Sequence, residues 1–133
     1  MANTLDYTVD GFGGIKEVMG VALGDETTAL TTGTKVTLYA PYAMTLSDIK
    51  ASVVTAPTDA TLIVDVHVAG TTIMTTDKLD IESTEFHTKD AATQPALTTT
   101  SIADNAKIEF IVDQVGSTVA GAGLKVYLIG TRT

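Results

Sequence analysis

Three stretches of the chain alternate apolar and polar residues at every second position, and this period of two is the feature that most constrains the fold. "AKIEFIVDQV" (106–115) and "GLKVYLIG" (123–130) show it, and "TLIVDVHV" (61–68) shows it most clearly. In that last stretch one face carries Leu62, Val64, Val66 and Val68, and the other carries Thr61, Ile63, Asp65 and His67. Such alternation is typical of a β-strand with one buried face. We therefore predict sheets whose aliphatic positions form the core.

The rest of the chain favours the same class of structure. There are 25 threonines, and β-branched side chains suit a pleated, half-buried surface. The stretch 47–54 predicts a further strand with Ile49, Ala51 and Val53 facing inward. Additional strands are predicted at 16–23, 34–40 and 71–77, with a pair around 85–87 and 97–101. We predict an all-β antiparallel β-sandwich, a jelly roll of about eight strands, with an immunoglobulin-like sandwich as the alternative.

The first 15 residues differ in composition from the remainder, so we predict an N-terminal arm at 1–15 and one sandwich domain at 16–133. The segment "DGFGG" (10–14) places three glycines around Phe12 and cannot pack a core by itself. Leu5, Tyr7 and Val9 alternate with polar residues, so the arm could add as a strand to the sheet edge of a neighbouring molecule. We expect no signal peptide and no membrane-spanning segment here.

Charge and cysteine content narrow the classes of function. The formal net charge is −8, and the chain contains no cysteine. A strongly acidic surface repels nucleic acid and anionic membranes, so neither is an expected partner. Thiol catalysis, thiolate metal sites and disulfides are excluded, because each requires cysteine.

Few residues suggest chemistry. His67 lies two positions from Asp65 on one strand face, but a surface histidine is the favoured interpretation. Oxygen-rich side chains between 77 and 90 could hold calcium, although their spacing matches no EF-hand loop; these are Asp77, Asp80, Glu82, Glu85, His87 and Asp90. A solvated acidic loop is the favoured interpretation. Tyr39 and Tyr42 could stack against a sugar. We predict no enzyme and no catalytic, metal-binding or cofactor-binding residues.

Two long stretches resemble a module found in virion structural proteins of tailed bacteriophages. The first is "LGDETTALTTGTKVTLYAPYAMTLSDIKASVVTAPT" (23–58) and the second is "SIADNAKIEFIVDQVGSTVAGAGLKVYLIGTR" (101–132). In the module a Thr-rich segment leads into a strand that ends near a Pro-Tyr-Ala turn. An Ala-Asp-Asn-Ala turn then starts a later strand, and the module closes on Gly-Leu-Lys-Val-x-Leu-Ile-Gly-Thr-Arg.

This resemblance implies a rigid β-sandwich on the outside of a virus particle, often as a trimer. Because the module fills nearly the whole chain after the arm, a capsid decoration (cement) protein is the expected function. Its partner would be the major capsid protein of the same virion. It would be made in the host cytoplasm and located on the outer capsid surface. The alternatives are a tail-fibre or receptor-binding tip domain and a carbohydrate-binding module with a glycan ligand.

Overall fold

The computed structural model describes residues 16–133, which form β-strands joined by turns and loops. The strands are β1 (Glu17–Ala22), β2 (Gly33–Tyr39), β3 (Met44–Ser52), β4 (Leu62–Val68), β5 (Thr71–Thr72), β6 (Leu79–Ile81), β7 (Ser101–Ile102), β8 (Lys107–Gln114) and β9 (Lys125–Arg132). One 3-10 turn at Thr88–Asp90 is the helical element of this range. No helix within residues 16–133 has both the length and the apolar character needed to cross a bilayer.

The strands form two antiparallel sheets that pack face to face, so the predicted all-β sandwich is confirmed. The first sheet, sheet A, has the order β1-β9-β3-β7, and the second, sheet B, has the order β2-β8-β4-β5, with β6 also paired to β4. Every strand pair is antiparallel. The jelly-roll connectivity remains a prediction.

The hydrophobic core lies between the inner faces of the two sheets. Sheet B contributes Val64, Val66 and Phe110, which are fully buried, and sheet A contributes Ile49 and Leu128. These are the positions that the period-two patterns placed inward. Burying an aliphatic or aromatic side chain of this kind contributes about 1.5–3 kcal/mol each.

The predictions for the long connection between β4 and β8 are wrong in part. The strand predicted at 71–77 ends at Thr72, because Ile73 and Met74 are both buried and two consecutive inward residues cannot continue a period of two. The stretch 85–87 forms only an isolated bridge, between Ser52 and His87. The strand predicted at 97–101 is shifted to β7, and β6 was not predicted.

The two lateral flanks of the sandwich differ in how well they cover the core. The long connection closes the flank beside β3 and β4, where Ile73, Met74 and Ile102 are buried. The strand orders of the sheets place β1 and β2 together on the opposite flank. There the apolar side chains that pack on the core remain partly exposed: Met19, Val21, Val36, Leu38 and Tyr42. This flank is called the open flank below.

Candidate functional site

The residue pair that sequence suggested for catalysis lies on the outer face of sheet B, but it forms a closed polar cluster. Asp65 is only 2% exposed, although the alternation of β4 predicted that it faces solvent. Its Oδ1 accepts hydrogen bonds from the Val66 backbone N–H at 2.8 Å and from Thr72 Oγ1 at 2.5 Å. Its Oδ2 lies 3.1 Å from both His67 Nε2 and Lys78 Nζ. Both carboxylate oxygens are therefore satisfied, as buried carboxylates require.

His67 contacts Asp65, with which it shares a strand face, but the described residues supply no nucleophile to it. A hydrolytic triad needs a Ser or Thr hydroxyl on the second ring nitrogen. Within residues 16–133, no Ser or Thr side chain is hydrogen-bonded to His67; the Asp65 carboxylate is the side chain that His67 contacts. The contact therefore covers Asp65 rather than activating a hydroxyl.

Lys78 completes this cluster, and sequence reasoning did not find it. Its Nζ lies 2.9 Å from Asp113 Oδ2 on β8 and 3.1 Å from Asp65 Oδ2 on β4. The Asp113 carboxylate, with a smaller contribution from Asp65, raises the pKa of Lys78 above its ordinary value. Lys78 lies in the connection between β5 and β6, so no local pattern relates it to either partner. The ion pairs fasten this connection to the face of sheet B.

The acidic stretch does not assemble into a metal centre. No group of three His, Asp or Glu side chains in the described range could hold a metal ion. Glu82 instead accepts a hydrogen bond from the Ala92 backbone N–H at 2.6 Å, and His87 lies 3.5 Å from Asp90. Burial, followed by the negative charges of Glu82 and Asp77, raises the pKa of Asp80. The stretch is not the one loop that was predicted, because it contains β6 and the 3-10 turn, and the carboxylates at 77, 80 and 82 repel one another.

The two tyrosines that could stack against a sugar, Tyr39 and Tyr42, differ in how exposed their rings are. Tyr39, at the end of edge strand β2, is 61% exposed. The guanidinium of Arg132 lies 3.9 Å from the ring centroid of Tyr42 and covers one of its faces. The Tyr42 hydroxyl also donates to Glu17 at 3.1 Å. Tyr42 is therefore engaged in packing the open flank, and Tyr39 alone presents a solvent-exposed ring.

The Thr-rich connection between β1 and β2 contains a small depression. Its volume is about 190 Å³, and Leu23, Asp25, Leu30 and Lys35 contribute to its walls. Ligand pockets are commonly about 300–1,000 Å³, so this one is small for an organic ligand. Hydrogen bonds from Thr28 and the Thr27 backbone N–H lower the pKa of Asp25. Asp25 therefore organises the turn of its own loop.

The two long edge strands differ in how they are protected. β2 carries a bulge between Thr34 and Val36 and a lysine within it, Lys35, and both features discourage pairing with another strand. β1 runs opposite β9 without a bulge over six residues. After Glu17 its residues are uncharged, and Val18 is 60% exposed. β1 is therefore the unprotected long edge of the described sandwich. The signal in the sequence is the stretch "VMGVA" (18–22), which has no charged residue and no proline.

The predicted assembly residues Leu5, Tyr7, Val9 and Phe12 lie outside the described residues. In the sequence, β1 begins at Glu17, two residues after the predicted arm ends. Comparison with protein-family models, with curated proteins and with solved structures gives no match to this chain.

Proposed function

We propose that this chain is a non-enzymatic structural protein of a tailed-bacteriophage virion, and specifically a decoration protein of the outer capsid surface. The observation that carries the proposal is the unprotected edge of β1 beside the open flank. Residues 4–10, which alternate apolar and polar side chains, precede this strand by six residues in the sequence. A body with such an edge is suited to attachment by strand addition. The similarity of 23–58 and 101–132 to the virion module supports the same function.

The proposal includes a homotrimer, whose arms bind a neighbouring subunit or the major capsid protein, and a jelly-roll topology. Successive strands β1, β2, β3 and β4 alternate between the two sheets, and so do β7, β8 and β9. This alternation supports the jelly roll over a set of simple hairpins. Neither nucleic acid nor membrane is a partner in this proposal, because the net charge is −8.

The direct test is binding to the parent particle. Particles that lack this protein are incubated with purified full-length chain or with a variant lacking residues 1–14, and occupancy is measured by cryo-electron microscopy. We expect the full chain to occupy repeated sites on the head and the truncated chain to remain folded without binding. Binding to the tail alone would favour a tail-fibre or receptor-binding tip. Absence of binding by the full-length chain would contradict the proposal.

One observation favours a glycan-binding alternative, in which the chain is a receptor-binding tip or a carbohydrate-binding module. Tyr39 is 61% exposed at the end of β2, and an exposed ring can stack on a sugar face. A glycan array of the wild type and of Tyr39→Ala would test it. This alternative requires a saturable signal that the substitution removes.

A further inference from the structure

We propose that the edge of β1 in one copy receives residues 4–10 of a second copy as an added strand, which covers the open flank. This inference rests on the proposed function, because it names the surface by which copies of the protein join one another. The edges and the core of the described residues identify the receiving surface.

The other edges of the two sheets are poor receivers. β7 and β5 have two residues each and β6 has three, so none can hold a strand of the arm's length. β2 is long enough but contains the bulge and Lys35. In the six residues of β1, alternate N–H and C=O groups point away from β9, as antiparallel geometry requires. They are available to an incoming strand.

The open flank matches the apolar side of the arm. Met19 and Val21 point from β1 toward the core and remain partly exposed, as do Val36 and Leu38 on β2. An added strand continues the two faces of its neighbour. A register that pairs odd-numbered arm residues with odd-numbered β1 residues would therefore set Leu5, Tyr7 and Val9 beside Met19 and Val21.

The polar side of the arm would then continue the outer face of sheet A. That side carries Asp6 and Asp10. The outer face of sheet A carries Lys50, which is opposite Tyr127, and Lys125, which pairs with Glu26. Lys16 precedes β1 and donates a hydrogen bond to Ser47 at 2.9 Å. The chain has eight basic residues, and four of them lie in the strands of sheet A or next to them. These four are Lys16, Lys50, Lys125 and Arg132.

Exchange between copies distinguishes this inference from a hairpin within one chain, which would use the same edge. A hairpin would leave each molecule separate, whereas exchange of the arm joins two molecules. Exchange also forms an interface between copies from a strand pairing that one copy could make by itself. Both strands are then protected from other partners. Each copy donates one arm and receives one, so a closed ring of three satisfies every edge.

Engineered disulfides test the exchange cleanly, because the chain contains no cysteine. One protein carries Val18→Cys, an exposed position on β1, and a second protein of different mass carries a single cysteine at residue 4, 6 or 8. Residues 4, 6 and 8 share the outer face with Val18 in the proposed register, whereas residues 5, 7 and 9 do not. Val119→Cys, an exposed position in the loop between β8 and β9, replaces Val18→Cys as the control for random collision.

We expect oxidation to give mixed disulfide dimers, visible by mass, between Val18→Cys and whichever one of Thr4→Cys, Asp6→Cys and Thr8→Cys lies opposite Val18 in the register. Yields should be at least about tenfold lower with Leu5→Cys, Tyr7→Cys or Val9→Cys, because their Cβ atoms would point to the opposite face of the sheet from Val18. The Val119→Cys control should give equally low yields, because it lies outside the proposed pairing. A molecule carrying both cysteines that closes only within itself would overturn the exchange in favour of a hairpin. Absence of any disulfide above the control would overturn the choice of β1.

The binding assay on particles separates this inference from the proposed function. Mixed dimers without binding to heads would contradict the capsid function and leave the exchange standing. Binding to heads without mixed dimers would contradict the exchange and leave the function standing. Circular dichroism of each cysteine variant confirms that the comparison is between folded proteins.

Discussion

Asp65 shows how a single polar residue can occupy a buried position on the outside of a sheet. Its side chain points away from the hydrophobic core, yet Thr72, His67 and Lys78 cover it. Leaving water costs a carboxylate several kcal/mol unless it is paired and hydrogen-bonded. Each of its oxygens has two partners, so this cost is offset. The cluster thereby joins β4, the β5 region and the connection to β6.

Removal of this carboxylate should destabilise the fold. We expect Asp65→Ala to lower the free energy of unfolding by about 3 kcal/mol, because Lys78 and Thr72 lose a buried partner. The measurement is urea unfolding followed by circular dichroism. Asp113→Ala is the matched control, since Asp113 also contacts Lys78 but its side chain is 35% exposed. We expect the control to cost at most about 1 kcal/mol, and a loss as small as this for Asp65→Ala would contradict a structural role of Asp65.

Asp80 has the opposite electrostatic situation. Burial raises the pKa of Asp80 in the folded state, and the charges of Glu82 and Asp77 raise it further. A raised folded pKa means that the native state binds a proton more tightly than the unfolded chain. Asp80 therefore contributes more favourably at acid pH. This contribution is fully present below the ordinary pKa of 3.8 and is lost as pH rises through the raised pKa of the folded state. At neutral pH its charge destabilises the fold.

We therefore expect Asp80→Asn to raise the melting temperature at pH 7, and to do so less at pH 3. Thermal unfolding by circular dichroism at the two pH values measures this. Asp104→Asn, in the exposed turn before β8, removes the same charge outside the acidic stretch and should change the melting temperature little. A lower melting temperature for Asp80→Asn at pH 7 would show that the carboxylate is stabilising.

At the scale of the elements, the pairing of β9 with β3 requires a glycine at position 130. A Cβ at Gly130 would overlap the Thr45 carbonyl oxygen and lie 2.9 Å from Leu46 Cα. Both are backbone atoms, which cannot rotate away as a side chain can. The pairing of β3 with β9 also shifts register between Leu46 and Asp48, so the backbones approach closely beside an irregularity.

We expect Gly130→Ala to destabilise the protein by about 3 kcal/mol or more, as overpacking does when backbone must move. Gly20→Ala is the matched control in the same sheet, because a Cβ there meets only the Tyr127 ring, at an ordinary 3.4 Å. Denaturant unfolding of both variants gives the comparison. Similar stability of the two would contradict the close approach of β3 and β9.

The sequence predicts a strand well where one face of the strand is buried and the other is exposed to solvent. β3, β4, β8 and β9 were predicted with their faces, because alternation records that environment directly. The connection from Ile73 to Thr100 was not predicted in this way. Apart from the three residues of β6, it is held by single contacts such as the Thr98 N–H to the Ile73 carbonyl. Such contacts leave no period in the sequence. The burial of Asp65 was missed for the same reason, since Lys78 and Thr72 cover it from outside its strand.

At the scale of the whole molecule, charge governs how copies meet. A net charge of −8 on a 13.8 kDa protein makes free copies repel one another. Salt shortens the reach of this repulsion, from about 30 Å at 0.01 M to about 8 Å at 0.15 M. We expect self-association to tighten as salt is raised over this range, as measured by sedimentation velocity. Tighter association at the lower salt would show that attractive ion pairs dominate the contact between copies.

The placement of β8 and β9 has a consequence for the time course of folding. Each lies inside its sheet, β9 between β1 and β3 and β8 between β2 and β4, yet both come from the C-terminal part of the chain. On the ribosome, the earlier strands emerge before the partners that join them have been made. Pairing of this kind is non-local. It slows folding because the entropy of closing a long loop is lost before any stabilising contact forms. The nascent sandwich therefore keeps its sheets open until β8 and β9 have been made, and its earlier strands lack their central partners during that interval.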